Sequence, residues 1–247
     1  MEILGIDVGG TGIKGAIVNV ETGKLISNRR RIPTPNPATP EAVAETIQKI
    51  INHFKWKGSV GCGFPTPLQH GTCLSGGNLH KDFKNLKIDD FFKAKTGNDF
   101  TIVNDADAAG LSEVAFGAGK NVKGVVIMVT LGTGIGSALF LDGKLLPNTE
   151  FGHVLHKSGC VFEKYAANSV RIEENLSRKQ WGKRLHKYFK HINLILSPDL
   201  IIVGGGSSKK FSKFEAQINI KTPIVPAIAE NDAGIIGAAL AVKQGLK

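Results

Sequence analysis

A chain of 247 residues with 42% hydrophobic and 21% charged side chains is globular in composition, long enough for a sizeable core and for two lobes, and excludes a disordered or fibrous protein. The formal charge of +10 favours a polyanionic partner such as nucleic acid, anionic lipid or a long phosphate chain, although a solvated basic surface accounts for it equally well. Cys62, Cys73 and Cys160 match no disulfide scaffold or C-x-x-C pair, Glu2 stands where a signal peptide would be basic, and no apolar run reaches membrane-spanning length. A cytoplasmic protein with no membrane partner is therefore expected.

Along the chain, short β-like apolar runs alternate with helical patterns, the mark of an α/β protein. Strands are expected at 3–8, 16–20, 59–64, 100–104, 124–131, 137–141, 200–203 and 223–226. Thr39-Pro40 supplies a capping hydroxyl and a first-turn proline, and Val43, Ile47, Ile50, Ile51 and Phe54 follow at helical spacing, so a helix with one buried face starts there. Further helices are expected at 105–118, 161–174, 177–195, 207–216 and 230–245, with loops at 32–40 and 69–87. In the helix at 177–195, Trp181, Leu185, Tyr188 and Ile192 form an apolar stripe, and Lys179, Lys183, Lys187 and Lys190 form a basic face opposite it.

An internal repeat organises these elements. Gly9-Gly10-Thr11-Gly12-Ile13-Lys14-Gly15-Ala16-Ile17-Val18 aligns with Leu131-Gly132-Thr133-Gly134-Ile135-Gly136-Ser137-Ala138-Leu139-Phe140, and the match continues from Thr22-Gly23-Lys24-Leu25 to Asp142-Gly143-Lys144-Leu145. Each copy reads as a β-hairpin turning at Gly-Thr-Gly, one copy per half, which predicts a duplicated two-lobe architecture with a cleft between the lobes.

Glycines at such a turn let backbone N–H groups and a threonine hydroxyl ring phosphate oxygens, although a tight turn requiring positive φ would use the same residues. The duplication, with threonine kept in both copies, favours phosphate. Neither copy is a P-loop, and strand rather than helix follows each, so neither is a dinucleotide fingerprint. Asp7 ends the first strand beside the glycines, where its carboxylate would face a phosphate chain across a magnesium ion or act as a turn acceptor. Asn104-Asp105 ends a strand and opens a helix; either residue could cap the helix, and Asp105 could take a proton in phosphoryl transfer to an alcohol. Glu150, His153 and Glu163 suit sugar hydroxyls. His153, His156 and Cys160 lack a fourth ligand for zinc. Gly204-Gly205-Gly206 leads a strand toward an expected helix start bearing Lys209 and Lys210, an arrangement that attracts anions.

As an ordered set, Gly5-Ile6-Asp7-Val8-Gly9-Gly10-Thr11, Asn104-Asp105-Ala106-Asp107, Leu131-Gly132-Thr133-Gly134-Ile135-Gly136, Pro147-Asn148-Thr149-Glu150, Pro198-Asp199-Leu200 to Gly206 and Asn231-Asp232-Ala233-Gly234 resemble the ROK family of sugar kinases over nearly the whole chain, and within it the bacterial polyphosphate-using branch. The resemblance implies the actin-like ATPase (ribonuclease H-like) fold, with an N-terminal lobe over 1–105, a C-terminal lobe over 106–229, and a last helix, about 230–247, returning to the first lobe. It implies Asp105 as the base on the glucose 6-hydroxyl and Asn78, Asn104, Glu150, His153 and Glu163 as sugar contacts. The phosphate donor, polyphosphate or ATP, falls to Gly9, Gly10, Thr11, Gly12, Lys14, Thr133, Gly134, Gly205, Gly206, Lys209 and Lys210, with Mg2+ at Asp7. Of the family's cysteine-rich zinc motif only Cys160 remains, so no zinc is expected. A homodimer that binds glucose and no nucleic acid is the expected assembly. The family also contains sugar-sensing regulators, which carry a helix-turn-helix ahead of the kinase-like region; here the first strand starts at Ile3.

Overall fold

The computed structural model describes residues 1–77 and 79–246. It divides the chain into one unit made of Met1–Ser112 with the C-terminal stretch from Asn231, and a second made of Glu113–Glu230.

In the first unit, β1 (Glu2–Gly9) and β2 (Gly12–Asn19) form an antiparallel hairpin in which Asp7 stands opposite Lys14 and Gly9 opposite Gly12. The short strands β3 (Lys24–Leu25) and β4 (Arg30–Ile32) both pair with β2. Helix α1 (Pro40–Phe54) starts where the sequence places it: the Thr39 side chain accepts the Ala42 N–H at 3.3 Å, and Val43, Ile47, Ile50 and Ile51 are buried. β5 (Val60–Phe64), buried at every position, runs parallel to β1. A small hairpin of β6 (Leu68–Gln69) and β7 (Thr72–Cys73) precedes α2 (Ile88–Thr96), then β8 (Phe100–Asn104) parallel to β5, and α3 (Asp105–Phe116). The sheet runs β3-β2-β1-β5-β8.

The second unit repeats this plan. β9 (Val125–Leu131) and β10 (Ile135–Leu141) make the hairpin, and β11 (Lys144–Leu146) extends it. The short helices α4 (Glu163–Ala166) and α5 (Asn168–Glu173) lead into α6 (Arg178–Leu196), β12 (Leu200–Gly204) and β13 (Ile224–Pro226). The sheet order, β11-β10-β9-β12-β13, is strand for strand that of the first unit, so the sequence repeat is the trace of a repeated sheet. The turn after each hairpin also repeats: Gly23 and Gly143 both lie at positive φ, 70° and 79°, where a side chain would be strained.

The last helix, α7 (Ala233–Lys243), belongs to the first unit and is apolar all round, as a helix enclosed by its own unit requires. It lies against β1 and β5 at backbone distance: a Cβ on Gly5 would stand 2.1 Å from the Ile235 carbonyl oxygen, and one on Gly61 would stand 1.9 Å from that of Ala238. Among the described residues no helix is long and apolar enough to cross a membrane.

Three expectations need correction. The stretch 161–174 is two helices, because Ala167 is extended (φ −61°, ψ 156°) and breaks the run. The stretch 207–216 is a pair of 3-10 turns, Ser208–Lys213 and Glu215–Gln217, with Lys210 off helical geometry at φ −120°. Its apolar residues Phe211 and Phe214 are only three apart, which suits a 3-10 turn as well as an α-helix. α2 was missed because Ile88 and Phe92 alone are buried in it, too short a stripe to register as a period.

Candidate functional site

The first hairpin turns over two exposed residues, Gly10 and Thr11. The Arg31 guanidinium donates to the Thr11 carbonyl at 2.8 Å and the Thr34 hydroxyl to that of Gly9 at 2.5 Å, so β4 and its following loop brace the turn. Neither Gly9 nor Gly12 lies in the left-handed region, and positive φ is therefore not why they are glycines. At Gly12 a Cβ would sit 2.6 Å from the Arg31 Nε, so a side chain there would displace the guanidinium that braces the turn. Asp7 and Lys14, cross-strand partners on one face, form an ion pair at 3.2 Å with side chains 18% and 28% exposed. Gly234, at the start of α7, packs on the same carboxylate, with its Cβ position 2.9 Å from the Asp7 Cγ. A single, partly exposed carboxylate fits magnesium, which takes one or two carboxylates and fills the rest of its octahedron with water and phosphate oxygens.

At the end of β8 the structure divides two roles between neighbouring residues. Asn104 is buried; its Oδ1 accepts the Ala106 N–H at 2.8 Å and its Nδ2 donates to the Thr66 carbonyl at 3.2 Å. Asn104 thus caps α3, and the Asp105 carboxylate stands exposed at the carboxyl end of the strand, where ligands bind in α/β sheets. Thr66 also donates through its hydroxyl to the Ser75 carbonyl at 2.9 Å, and the Ser75 hydroxyl accepts the Gly77 N–H at 3.2 Å. This chain of bonds ties the strand end to the loop that leads to Asn78, which itself lies outside the described residues.

In the second unit the hairpin turns over Gly132, Thr133 and Gly134. The Ser169 hydroxyl donates to the Thr133 carbonyl at 2.5 Å, and its N–H donates to that of Gly132 at 3.2 Å, so the start of α5 clamps the turn. Glu163 reaches the same turn: its Oε2 accepts the Ile135 N–H at 2.8 Å, and a Cβ on Gly134 would stand 2.2 Å from that oxygen. Glu150 and His153 face each other at 3.5 Å. Burial pushes the Glu150 carboxyl above the usual carboxylate range; His153 opposes the shift and the Glu163 charge adds to it. The Ser137 hydroxyl donates to the Thr149 carbonyl at 2.5 Å and accepts the Phe151 N–H at 2.8 Å, fixing the segment that carries Glu150 and His153. Gly205, at φ 75°, brings the chain against the backbone of Leu131. Gly206, Lys209 and Lys210 follow it exposed, and the anion-attracting α-helix start expected there is replaced by the 3-10 turn.

Sequence reasoning missed Arg31, Thr34 and Ser169, all of which hold the turns through backbone carbonyls. The run Arg29-Arg30-Arg31 carries a signal for the first; a single serine or threonine carries none. Among the described residues no group of three or more His, Cys, Asp or Glu is arranged to hold a metal. His156 Nδ1 and Cys160 Sγ instead lie 2.8 and 3.1 Å from the Ser158 hydroxyl.

Two sheets of one strand order, each with a braced Gly-Thr-Gly hairpin, define the actin-like ATPase fold, and the chain belongs to the ROK family, whose model it matches over residues 3–165. It is 46% identical over 238 residues to the polyphosphate glucokinase of Mycobacterium tuberculosis, spanning 96% of this chain and 89% of that one. The inorganic polyphosphate/ATP-glucomannokinase of Arthrobacter sp. strain KM superposes with a TM-score of 0.93 at 44% identity, covering 99% of each chain. A ROK family glucokinase of Streptomyces griseus, solved with glucose and AMPPNP, gives a TM-score of 0.85 at 22% identity, covers 99% of this chain and 100% of its own, and shares the fold.

Proposed function

We propose that this protein transfers a phosphoryl group from inorganic polyphosphate to the 6-hydroxyl of glucose. The observation that carries the reading at residue level is the division of labour at 104–105: because Asn104 makes the capping bond, the exposed Asp105 carboxylate is not required for it. The likeness to two polyphosphate-using enzymes along nearly the whole chain supports the donor and the acceptor.

In this mechanism Asp105 takes the proton from the 6-hydroxyl as that oxygen attacks the terminal phosphorus; the bond from that phosphorus to its bridging oxygen breaks, and the electron pair leaves with the shortened chain. Glu150, His153, Glu163 and Asn78 bind and orient the sugar's hydroxyls. Asn104 is a positioning residue, since both ends of its amide bond to backbone. The Gly9–Gly12 and Thr133–Gly134 turns, with Lys14, Lys209 and Lys210, hold the phosphates. Asp7 is the residue that would hold magnesium, and the ion, when bound, would supply neutralising charge to the donor's phosphates. The enzyme acts as a homodimer in the cytoplasm.

The name of the Arthrobacter enzyme carries both ATP and mannose, which makes ATP the second donor to test and mannose the second acceptor. A coupled assay crossing glucose and mannose with polyphosphate and ATP decides among these. The expected result is glucose 6-phosphate formed from polyphosphate; formation from ATP alone would make this an ATP glucokinase, and product from neither donor would overturn the reading.

A further inference from the structure

The cross-strand register of the first unit lines up three charged side chains on one face. Asp7 of β1 stands opposite Lys14 of β2, and Lys14 in turn stands opposite Arg31 of β4. Residues directly opposite in antiparallel strands project to the same side of the sheet, so Asp7, Lys14 and Arg31 form a row of one carboxylate and two cations. A second contact places the Arg31 head group on that face. Gly12 precedes Lys14 by two positions and shares its side of the strand, and a Cβ on Gly12 would lie 2.6 Å from the Arg31 Nε and 2.7 Å from both its Cζ and its Nη2. Atoms at so nearly one distance put the guanidinium plane flat over Gly12, with its N–H groups directed outward around the rim rather than into the backbone beneath.

The neighbouring cations are matched. Lys14 pairs with Asp7 at 3.2 Å, and Arg29 pairs at 2.8 Å with Asp232, two residues before the Gly234 that packs on Asp7. Arg31 is exposed, has no carboxylate partner among the described residues, and makes one hydrogen bond among them, from Nη2 to the Thr11 carbonyl. Bracing a carbonyl requires a single neutral donor. A guanidinium held flat at the turn by one N–H keeps its other donors and its whole charge, in a planar fork that suits two phosphate oxygens at once.

We propose that Arg31 is a further donor-binding residue, whose fork takes a pair of oxygens of the phosphate chain as the chain passes the Gly10-Thr11 tip. The inference rests on the reading of the first hairpin as part of the donor's site, and it adds to that site a cation from a strand outside the hairpin. Bracing and binding reinforce each other, because the bond to Thr11 fixes the guanidinium before the anion arrives and so lowers the ordering cost of the contact.

A brace and a phosphate ligand differ in their response to salt, because each phosphate neutralised by a cation releases counterions, whereas a brace neutralises none. The full chain is titrated calorimetrically with tripolyphosphate, without sugar, at fixed magnesium and over a series of sodium chloride concentrations. Arg31→Gln, which keeps an N–H for the Thr11 carbonyl, is expected to weaken binding at least about tenfold at low salt. It should also make the slope of log K against log salt shallower by roughly 0.7 to 0.9, by analogy with nucleic-acid binding. Arg31→Lys restores the charge without the fork and should recover that slope but only part of the affinity. Thr34→Val removes the other brace and no charge, so its slope should match that of the native chain. Glucose affinity should be unchanged in all of these variants. A native slope in Arg31→Gln, with or without lost affinity, would leave Arg31 a brace and overturn the proposal, as would an equal loss of slope in Thr34→Val. A native chain that does not bind tripolyphosphate would overturn the donor reading and this inference with it.

Discussion

At the scale of single residues, the geometry separates neighbours that the sequence leaves interchangeable. Asn104→Ala removes the capping acceptor of α3 and is expected to cost about 1 kcal/mol of stability, visible as a lowered melting temperature. Asp105→Asn is expected to leave glucose binding within several fold while lowering turnover at least ~100-fold, the scale of a lost general base. Near-normal turnover would return Asp105 to a structural role. Glu150 gives a second test through pH. Its carboxyl titrates above the usual range, so between the unfolded and folded values the folded state binds more protons. Its contribution is therefore present at low pH and lost as pH rises through the folded value. Glu150→Gln should raise the melting temperature near neutrality and change it little in acid. It should also abolish an acid-side rise in the Michaelis constant for glucose, which protonation of Glu150 should cause in the native protein.

At the scale of elements, buried polar side chains join segments that no periodicity relates. Glu113 of α3, fully buried, accepts the N–H groups of Ile228 and Ala229 at 2.8 and 2.7 Å through one oxygen and that of Ala118 at 2.8 Å through the other. Glu113→Ala leaves three partly buried backbone donors without this acceptor and is expected to cost about 1–3 kcal/mol in denaturant melts, with Glu113→Gln intermediate because only one of its terminal atoms accepts. Helix α6 shows the opposite case, an element whose two faces are both legible. A capping box of Ser177 and Gln180 starts it, Trp181, Leu185, Tyr188 and Ile192 are buried, and Lys179, Lys183, Lys187 and Lys190 are exposed. If that face meets a long phosphate chain, Lys179→Glu with Lys183→Glu should raise the Michaelis constant for long polyphosphate and spare that for ATP. Equal effects on both donors would make it a solvated face.

At the scale of the whole molecule, the charge of +10 becomes a statement about the donor. Binding that neutralises many phosphates releases counterions and weakens steeply with salt, as in nucleic-acid complexes. Activity at limiting polyphosphate is therefore expected to fall faster with added salt than activity at limiting ATP, and less so for short chains. A common salt dependence for both donors would assign the excess charge to solubility rather than to substrate.

The sequence by itself determined the α/β class, the longer strands of both sheets but not the short strands β3, β4 and β11, the cap and buried face of α1, the stripe of α6 and the duplication of the hairpins. All of these depend on neighbours within a few residues or on a repeat visible by alignment. It could not determine that the duplication extends to the strand order of both sheets, because parallel pairings such as β1 with β5 and β9 with β12 join residues far apart in the chain. Nor could it say which of Asn104 and Asp105 caps α3, since that choice turns on Thr66, reached only when β8 and its neighbouring loop meet. Hairpin glycines looked alike in sequence, yet Gly12 answers to Arg31 and Gly134 to Glu163. Local structure follows from local chemistry; which side chain is left facing solvent, and which is spent on another segment's backbone, is decided by tertiary contact.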